Sequence, residues 1–271
     1  MNFPKHFAKT LAVTALAALT LAGCAGGTAA EPQSTPPAAQ TTDQADALDS
    51  ALTGEITVLA AASLTGSFTQ LAEEFMAEHE GVTINLSFGS SSALALTVSE
   101  GSPADILATA DEKSMGVALA GNDTATSKIF AGNDLVIAVA KDNPEGITGL
   151  EQLSGSDLRI ARCAAEVPCG RLADSALTAG NLTIKAVTEG ADVKATLTPL
   201  ITGEVDAALV YRTDVIASQD VSLVELEPLV AQQTVYPMVV LTDSEVAAAF
   251  YDAVVSEHGM ATLASFGFTA N

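Results

Sequence analysis

The chain has 271 residues, with 33 acidic and 11 basic side chains, a formal net charge of −22, 48% apolar residues and no Trp. It is too apolar to remain unfolded for want of a core and too acidic to bind a phosphate backbone, so a nucleic-acid partner is excluded. Of its 3 His, His79 and His258 lie far apart and His6 is in the leader, which is thin material for a transition-metal site, while the length suits one or two domains with ample core.

The first 23 residues read as an export signal. Lys5, His6 and Lys9 form a polar start, and LAVTALAALTLAG, from Leu11 to Gly23, is an apolar run too short to persist as a spanning helix. Its end, Leu21-Ala22-Gly23-Cys24, resembles the lipobox of bacterial lipoproteins, which implies a lipidated Cys24 as the new N-terminus. Loss of Lys5 and Lys9 from the 11 bases leaves 9 against the same 33 acids. Residues 24–53 are rich in Pro, Thr, Ala and Gln without hydrophobic periodicity, as expected of a lipid anchor and flexible tether. The folded body starts near Gly54.

From there short apolar runs alternate with amphipathic stretches, the pattern of an α/β architecture with mostly parallel strands. Glu55–Ala62 reads as a strand, and Ser63-Leu64-Thr65 opens a helix with Phe68, Leu71, Phe75 and Met76 on its apolar face. Val82–Phe88 alternates as a strand, Gly89–Ser92 starts a second helix, Asp105–Ala110 is a third strand, and the helix after it ends at Gly121. Later strands are predicted at Leu135–Ala140, Leu158–Ala164, Ile184–Glu189, Val205–Tyr211 and Tyr236–Leu241. Helices fit at Arg171–Ala179, Val193–Thr202 and Asp214–Ser218, with one long helix from Ser244 to about Glu257. The acids are dispersed, as on a solvated surface.

Cysteine usage agrees with export. With Cys24 assigned to lipid, Cys163 and Cys169 remain as an even pair in a compartment that permits disulfides. The alternatives are two free buried thiols or a metal or redox dithiol, although the spacing is wrong for a CxxC motif.

Several turns that follow strands share a chemical character. Ser63 follows the first strand, Ser90–Ser92 the second, Pro168-Cys169-Gly170 and Asp192-Val193 precede helices, and Tyr211 ends a strand. Ligands collect outside the carboxyl ends of such strands, where helix N-termini present unsatisfied N–H groups. Neutral hydroxyls there suit an anion, although Ser and Thr are also ordinary helix caps. No catalytic constellation competes: neither His follows a strand end, and GxSxG, Walker, GxGxxG and HExxH sequences are missing. Asp105 and Asp111 read as a strand start and a helix-start acid.

These segments resemble the periplasmic molybdate-binding proteins of ABC importers. The resemblance is carried by AAASLT (Ala60–Thr65), SFGSSSALA (Ser87–Ala95), GSPADILATAD (Gly101–Asp111), VPCGRLA (Val167–Ala173), EGADVKATL (Glu189–Leu197), ALVYRTD (Ala208–Asp214) and YPMVV (Tyr236–Val240). It runs in order from about Gly54 to Phe268, where the closing SFGF also fits.

The resemblance implies a two-lobed type II periplasmic-binding-protein fold, each lobe a mostly parallel sheet flanked by helices, with the ligand cleft between them. Residues 54–134 and 236–271 would form the first lobe and 135–235 the second, joined by crossing strands near Asn133–Val139 and Tyr236–Leu241. It further implies that the Ser63 and Ser91 hydroxyls, the Cys169 and Val193 amides and the Tyr211 hydroxyl hold molybdate or tungstate by its oxygens, with no direct protein ligand to the metal. Cys169 departs from the Ala common there, but that position offers its N–H, and a Cys163–Cys169 disulfide would brace the turn. The expected protein is a monomeric lipoprotein on the extracytoplasmic side of the cell membrane, delivering its oxyanion to an importer permease, with no cofactor and no enzymatic turnover. Binding of another tetrahedral oxyanion such as sulfate on the same fold is the alternative.

Overall fold

A computed structural model of the protein describes residues 52–122 and 124–270. The export segment 1–23, the lipidation position Cys24 and the tether up to residue 51 lie outside the described residues. Among the described residues no helix is long and apolar enough to cross a membrane.

Strand β1 (Thr53–Ala61) is exposed at its start and buried over its last four residues. A 3-10 turn, Ala62–Leu64, leads into α1 (Thr65–Glu78), which buries Phe68, Leu71, Ala72 and Phe75 at helical spacing. Strand β2 (Gly81–Gly89) buries Val82 and Ile84 and leads to α2 (Ser91–Ser99). Strand β3 (Ile106–Ala108) is fully buried and precedes α3 (Glu112–Ala118), whose N-cap Asp111 accepts from the Ser114 N–H at 2.9 Å.

The chain then runs through β4 (Lys128–Ala140), β5 (Ile160–Cys163), α4 (Pro168–Ala179) and β6 (Ala186–Gly190). It continues through α5 (Val193–Ile201), β7 (Ala207–Tyr211), α6 (Arg212–Ile216) and β8 (Val221–Val224). Strand β9 (Gln233–Val240), α7 (Glu245–Val255), α8 (Glu257–Ser265) and β10 (Thr269–Ala270) complete it.

The strand order is β2-β1-β3-β9-β4-β7-β5-β6, with β8 and β10 attached to β4. Parallel pairing holds for β2-β1-β3 and for β6-β5-β7, the strands within each set joined by helical crossovers. Strands β4 and β9 run antiparallel to their neighbours. β4 serves both halves: Lys128–Asp134 pairs with β9, whereas Leu135–Ala140 pairs with β7 and β8. The handover between Asp134 and Leu135 separates two sheets.

Register determines what each sheet presents. Ala61 pairs with Gly89 and Ala60 with Ala108, so β1, β2 and β3 end level. In the second sheet Cys163 pairs with Gly190 and Ala161 with Ala208, so β5, β6 and β7 end level too. The helices that follow therefore start side by side.

The core divides in the same way. Leu135, Ile137, Leu150, Leu153, Ile160 and Leu209 pack beside the second sheet, and Leu59, Leu107, Met115 and Val239 pack under α2 and α3. A third cluster spans both sheets. Within it Tyr236 lies 5.2 Å from Phe268, 6.3 Å from Tyr211 and 6.4 Å from Phe130, ring centre to ring centre.

Two expectations are corrected. The helix expected from Ser244 to about Glu257 is α7, which stops at Val255, and a second helix that was not expected, α8, follows it, because Ser256 leaves the helical conformation and its hydroxyl accepts from the Gly259 N–H at 3.1 Å, capping α8. Strand β4 begins at Lys128, seven residues before the predicted Leu135; Gly132, Asn133 and Asp134 separate its short apolar start, Ile129–Ala131, from the longer run that marked the strand. Strands β8 and β10 were not anticipated.

Candidate anion-binding site

All five residues singled out in the sequence line one cavity of about 220 Å³ including its mouth. Ser63 stands in the turn before α1, Ser91 opens α2, Cys169 is the second residue of α4, Val193 opens α5 and Tyr211 is the N-cap of α6. The first-turn N–H groups of a helix have no intrahelical acceptor, so these converging ends offer donors and the positive ends of helix dipoles. Among the described residues that line the cavity there is no Lys, Arg or His. Its acid, Asp192, has one carboxylate oxygen engaged by the Ala195 N–H at 2.9 Å.

The start of α4 is held from behind. Cys163, the last residue of β5, is joined by a disulfide to Cys169. A Cβ on Gly170 would come within 1.8 Å of the Ala164 carbonyl oxygen, so the first turn of α4 sits against the end of β5 at a distance that requires glycine.

Hydrogen-bond polarity sets what the hydroxyls can do. The Ala110 N–H donates to Ser91 Oγ at 2.9 Å, which occupies an acceptor lone pair and leaves the Ser91 proton for the cavity. Ser63 Oγ and the Tyr236 hydroxyl are 2.8 Å apart. The Tyr211 hydroxyl is buried with no partner among the described residues. Burial, reinforced by Tyr236, Asp111 and Asp214, holds its ionisation well above the ordinary phenol range, so it stays a donor.

Apart from Asp192, the charged side chains stand around the cavity rather than inside it. Arg171, two residues after Cys169, turns away and gives Nε to Asp111 Oδ2 at 2.9 Å and Nη2 to Ser114 Oγ at 3.0 Å. Ser92 Oγ donates to the Glu166 carbonyl at 2.7 Å. Both contacts link the helices of one sheet to those of the other across the cavity edge. Lys194, beside Val193, places Nζ 3.0 Å from Asp214 Oδ1, while Asp214 Oδ2 has no partner among the described residues. Burial pushes the Asp214 carboxyl up to about 6, partly opposed by Lys194.

Three further residues belong to this neighbourhood and were not assigned to it from sequence. Ser90 lines the cavity with a buried hydroxyl that has no partner among the described residues; its place in the Ser90–Ser92 triplet was the available signal. Tyr236 and Asn133, both fully buried, stand behind Ser63. Tyr236 lay within the YPMVV motif but read as a strand residue, and nothing local marked Asn133.

Residues 56–269 match the family described as bacterial extracellular solute-binding protein. The chain is 36% identical over 188 residues to the molybdate-binding protein ModA of Mycobacterium tuberculosis strain H37Rv, covering 69% of this chain and 72% of that one. Among solved structures, the periplasmic molybdate-binding protein of Azotobacter vinelandii superposes with a TM-score of 0.68 at 22% identity, over 80% of this chain and 99% of that one. The sulfate-binding protein SubI of Mycobacterium tuberculosis gives a TM-score of 0.69 at 19% identity, over 80% and 86% of the two chains. At those identities the structures establish the fold, the two-lobed type II binding-protein architecture.

Proposed function

The chain belongs to the bacterial extracellular solute-binding proteins, and from that premise we propose that it captures molybdate, and tungstate with it, for the membrane permease of an ABC importer. The observation that carries this reading is the cavity itself: a small space at converging helix starts, lined by hydroxyl donors and, among the described residues, free of cationic side chains. A chain with a net charge of −22 can hold a dianion there because far-field repulsion is screened beyond about 8 Å at physiological salt. Nearby helix ends and hydrogen bonds act over shorter distances, each bond to a charged group contributing about 1.5–3 kcal/mol. Neutral donors at fixed radius also favour discrimination by size, whereas a guanidinium in the cavity would draw in any anion. The 36% identity to a protein named for molybdate binding supports that choice of oxyanion. Sulfate is the second reading, supported by the likeness of fold to a sulfate-binding protein.

In this account Ser63, Ser91, the Cys169 and Val193 amides and Tyr211 contact the anion as donors, without turnover. The first sheet supplies the two serines and the second supplies the other three, so the ligand bridges two lobes that close on it, with β4 and β9 as the crossing strands. A monomer anchored by lipid at Cys24 and tethered by residues 24–53 would reach a permease on the same membrane, and the Cys163–Cys169 disulfide would form on export. Isothermal titration with molybdate, tungstate, sulfate and phosphate tests the reading. It predicts stoichiometric binding of molybdate and tungstate, with sulfate and phosphate far weaker; tighter sulfate binding would move the assignment to the second reading.

A further inference from the structure

We infer that Tyr236 and Asn133 are specificity-setting positioning residues: they fix the Ser63 hydroxyl as a one-way donor and so make the site reject oxyanions that retain a proton. The inference rests on the anion-binding reading above and adds to it two residues that do not line the cavity.

The direction of each bond follows from the groups present. Asn133 Oδ1 accepts from the Asp134 N–H at 3.0 Å, which fixes the amide and leaves Nδ2 as the donor on the other side. Nδ2 donates to Thr213 Oγ1 at 2.8 Å and to the Tyr236 hydroxyl oxygen at 3.2 Å. The Tyr236 proton must then leave toward Ser63 Oγ, 2.8 Å away, because Ser63 as donor would leave a phenol proton buried and unpaired. Tyr236 is 0% exposed and wedged among Phe130, Tyr211 and Phe268, so its ring cannot swing to another acceptor. Ser63 Oγ therefore accepts from behind and donates forward. Ser91 is set the same way by the Ala110 N–H. A fully ionised oxyanion satisfies both of these donors; at Ser63 or Ser91 an O–H of hydrogen phosphate or hydrogen arsenate meets a donor and gains a repulsion in place of a bond, so a protonated oxyanion is confined to orientations that turn its O–H away from both.

The relay also spans the fold. Asn133 sits at the end of the β4 segment that pairs with β9, and Thr213 lies in α6 just after Tyr211. One amide thus positions Ser63 through Tyr236 and holds the turn that carries Tyr211.

The test is calorimetric titration of the exported protein with molybdate, sulfate and hydrogen arsenate above pH 7.5, where all three are dianions and the comparison isolates the proton. The selectivity ratio, ionised oxyanion over hydrogen arsenate, is read for the wild type, Tyr236→Phe, Ser63→Ala and the double variant. Tyr236→Phe frees the Ser63 lone pair and is expected to lower the ratio at least tenfold, with no further change when added to Ser63→Ala. Asn133→Asp, whose carboxylate would draw the Tyr236 proton backward, is expected to lower it as well. The ratio within one variant is insensitive to a lost fraction of folded protein. An unchanged ratio in both Tyr236→Phe and Asn133→Asp, or an equal fall in the Ser63→Ala background, overturns the inference and leaves the anion site standing. A wild type that binds none of the oxyanions removes the site reading and this inference together.

Discussion

Arg171, in the first turns of α4, pairs with Asp111, the N-cap of α3, with Nε 2.9 Å from Oδ2, and so ties the helices of the second sheet to those of the first. Asp111 is preorganised for this by the Ser114 N–H on its other oxygen, and both side chains are mostly buried, at 21% and 17% exposure. The Arg171 charge is thereby neutralised outside the cavity, and the donors inside it remain neutral.

Such a contact acts on release more than on capture. Arg171→Met should raise the dissociation rate of molybdate about fivefold, the equivalent of about 1 kcal/mol for a partly buried ion pair, with the association rate little changed. Stopped-flow displacement of bound molybdate by excess tungstate reads it directly, and an unaltered off-rate would remove the latch from the account.

Tyr211 offers a hydroxyl without a partner among the described residues, so its deletion should cost binding and nothing else. Tyr211→Phe keeps the ring among its aromatic neighbours and should weaken molybdate binding tenfold to a hundredfold, as expected for one bond to a charged acceptor. Ser91→Ala should lose as much. Thermal melting of ligand-free Tyr211→Phe should match or exceed the wild type, since a buried unsatisfied group has been removed.

The Cys163–Cys169 bridge should matter more to the site than to the fold. The loop it closes is short, so its entropic contribution is about 2 kcal/mol, whereas it holds the turn that offers the Cys169 amide. Mass mapping of the unreduced exported protein should find the two residues linked. Paired replacement by Ser should weaken molybdate affinity by a larger factor than the fall in stability implies.

Asp214 gives a pH signature. Burial raises its folded-state carboxyl to about 6 from an ordinary 3.8, so the native protein holds that proton more tightly than the unfolded chain. Its contribution to stability is fully present below about 3.8 and is lost as pH rises through about 6, a change on the order of 1–3 kcal/mol. Denaturant melts at pH 5 and pH 7 should show the wild type gaining more from acidification than Asp214→Asn does. Equal gains would mean that Asp214 is ionised at both values.

That Ser63, Ser91, Cys169, Val193 and Tyr211 share one cavity was legible in the sequence because each belongs to a short segment at a strand end, where local pattern and resemblance coincide. What joins them was not. The Ser63–Tyr236 bond spans 173 positions and the Asn133–Tyr236 bond 103, and hydrogen-bond direction depends on which partner faces which lone pair. The Arg171–Asp111 pair, 60 positions apart, depends on how two sheets meet. Within the fold, the early half of β4 was hidden by Gly132, Asn133 and Asp134, and α8 lay beyond the last helix read from the sequence. The hydroxyl of Ser256, accepting from the Gly259 N–H, caps its start.

Diffraction from crystals grown with saturating molybdate, recorded for the anomalous signal of molybdenum, tests the central claim most directly. The account predicts one strong peak in the cavity, with the oxyanion within hydrogen-bond reach of the Ser63, Ser91 and Tyr211 hydroxyls and the Cys169 and Val193 amides. A peak held elsewhere on the protein, or a cavity without one while calorimetry reports saturation, would contradict it.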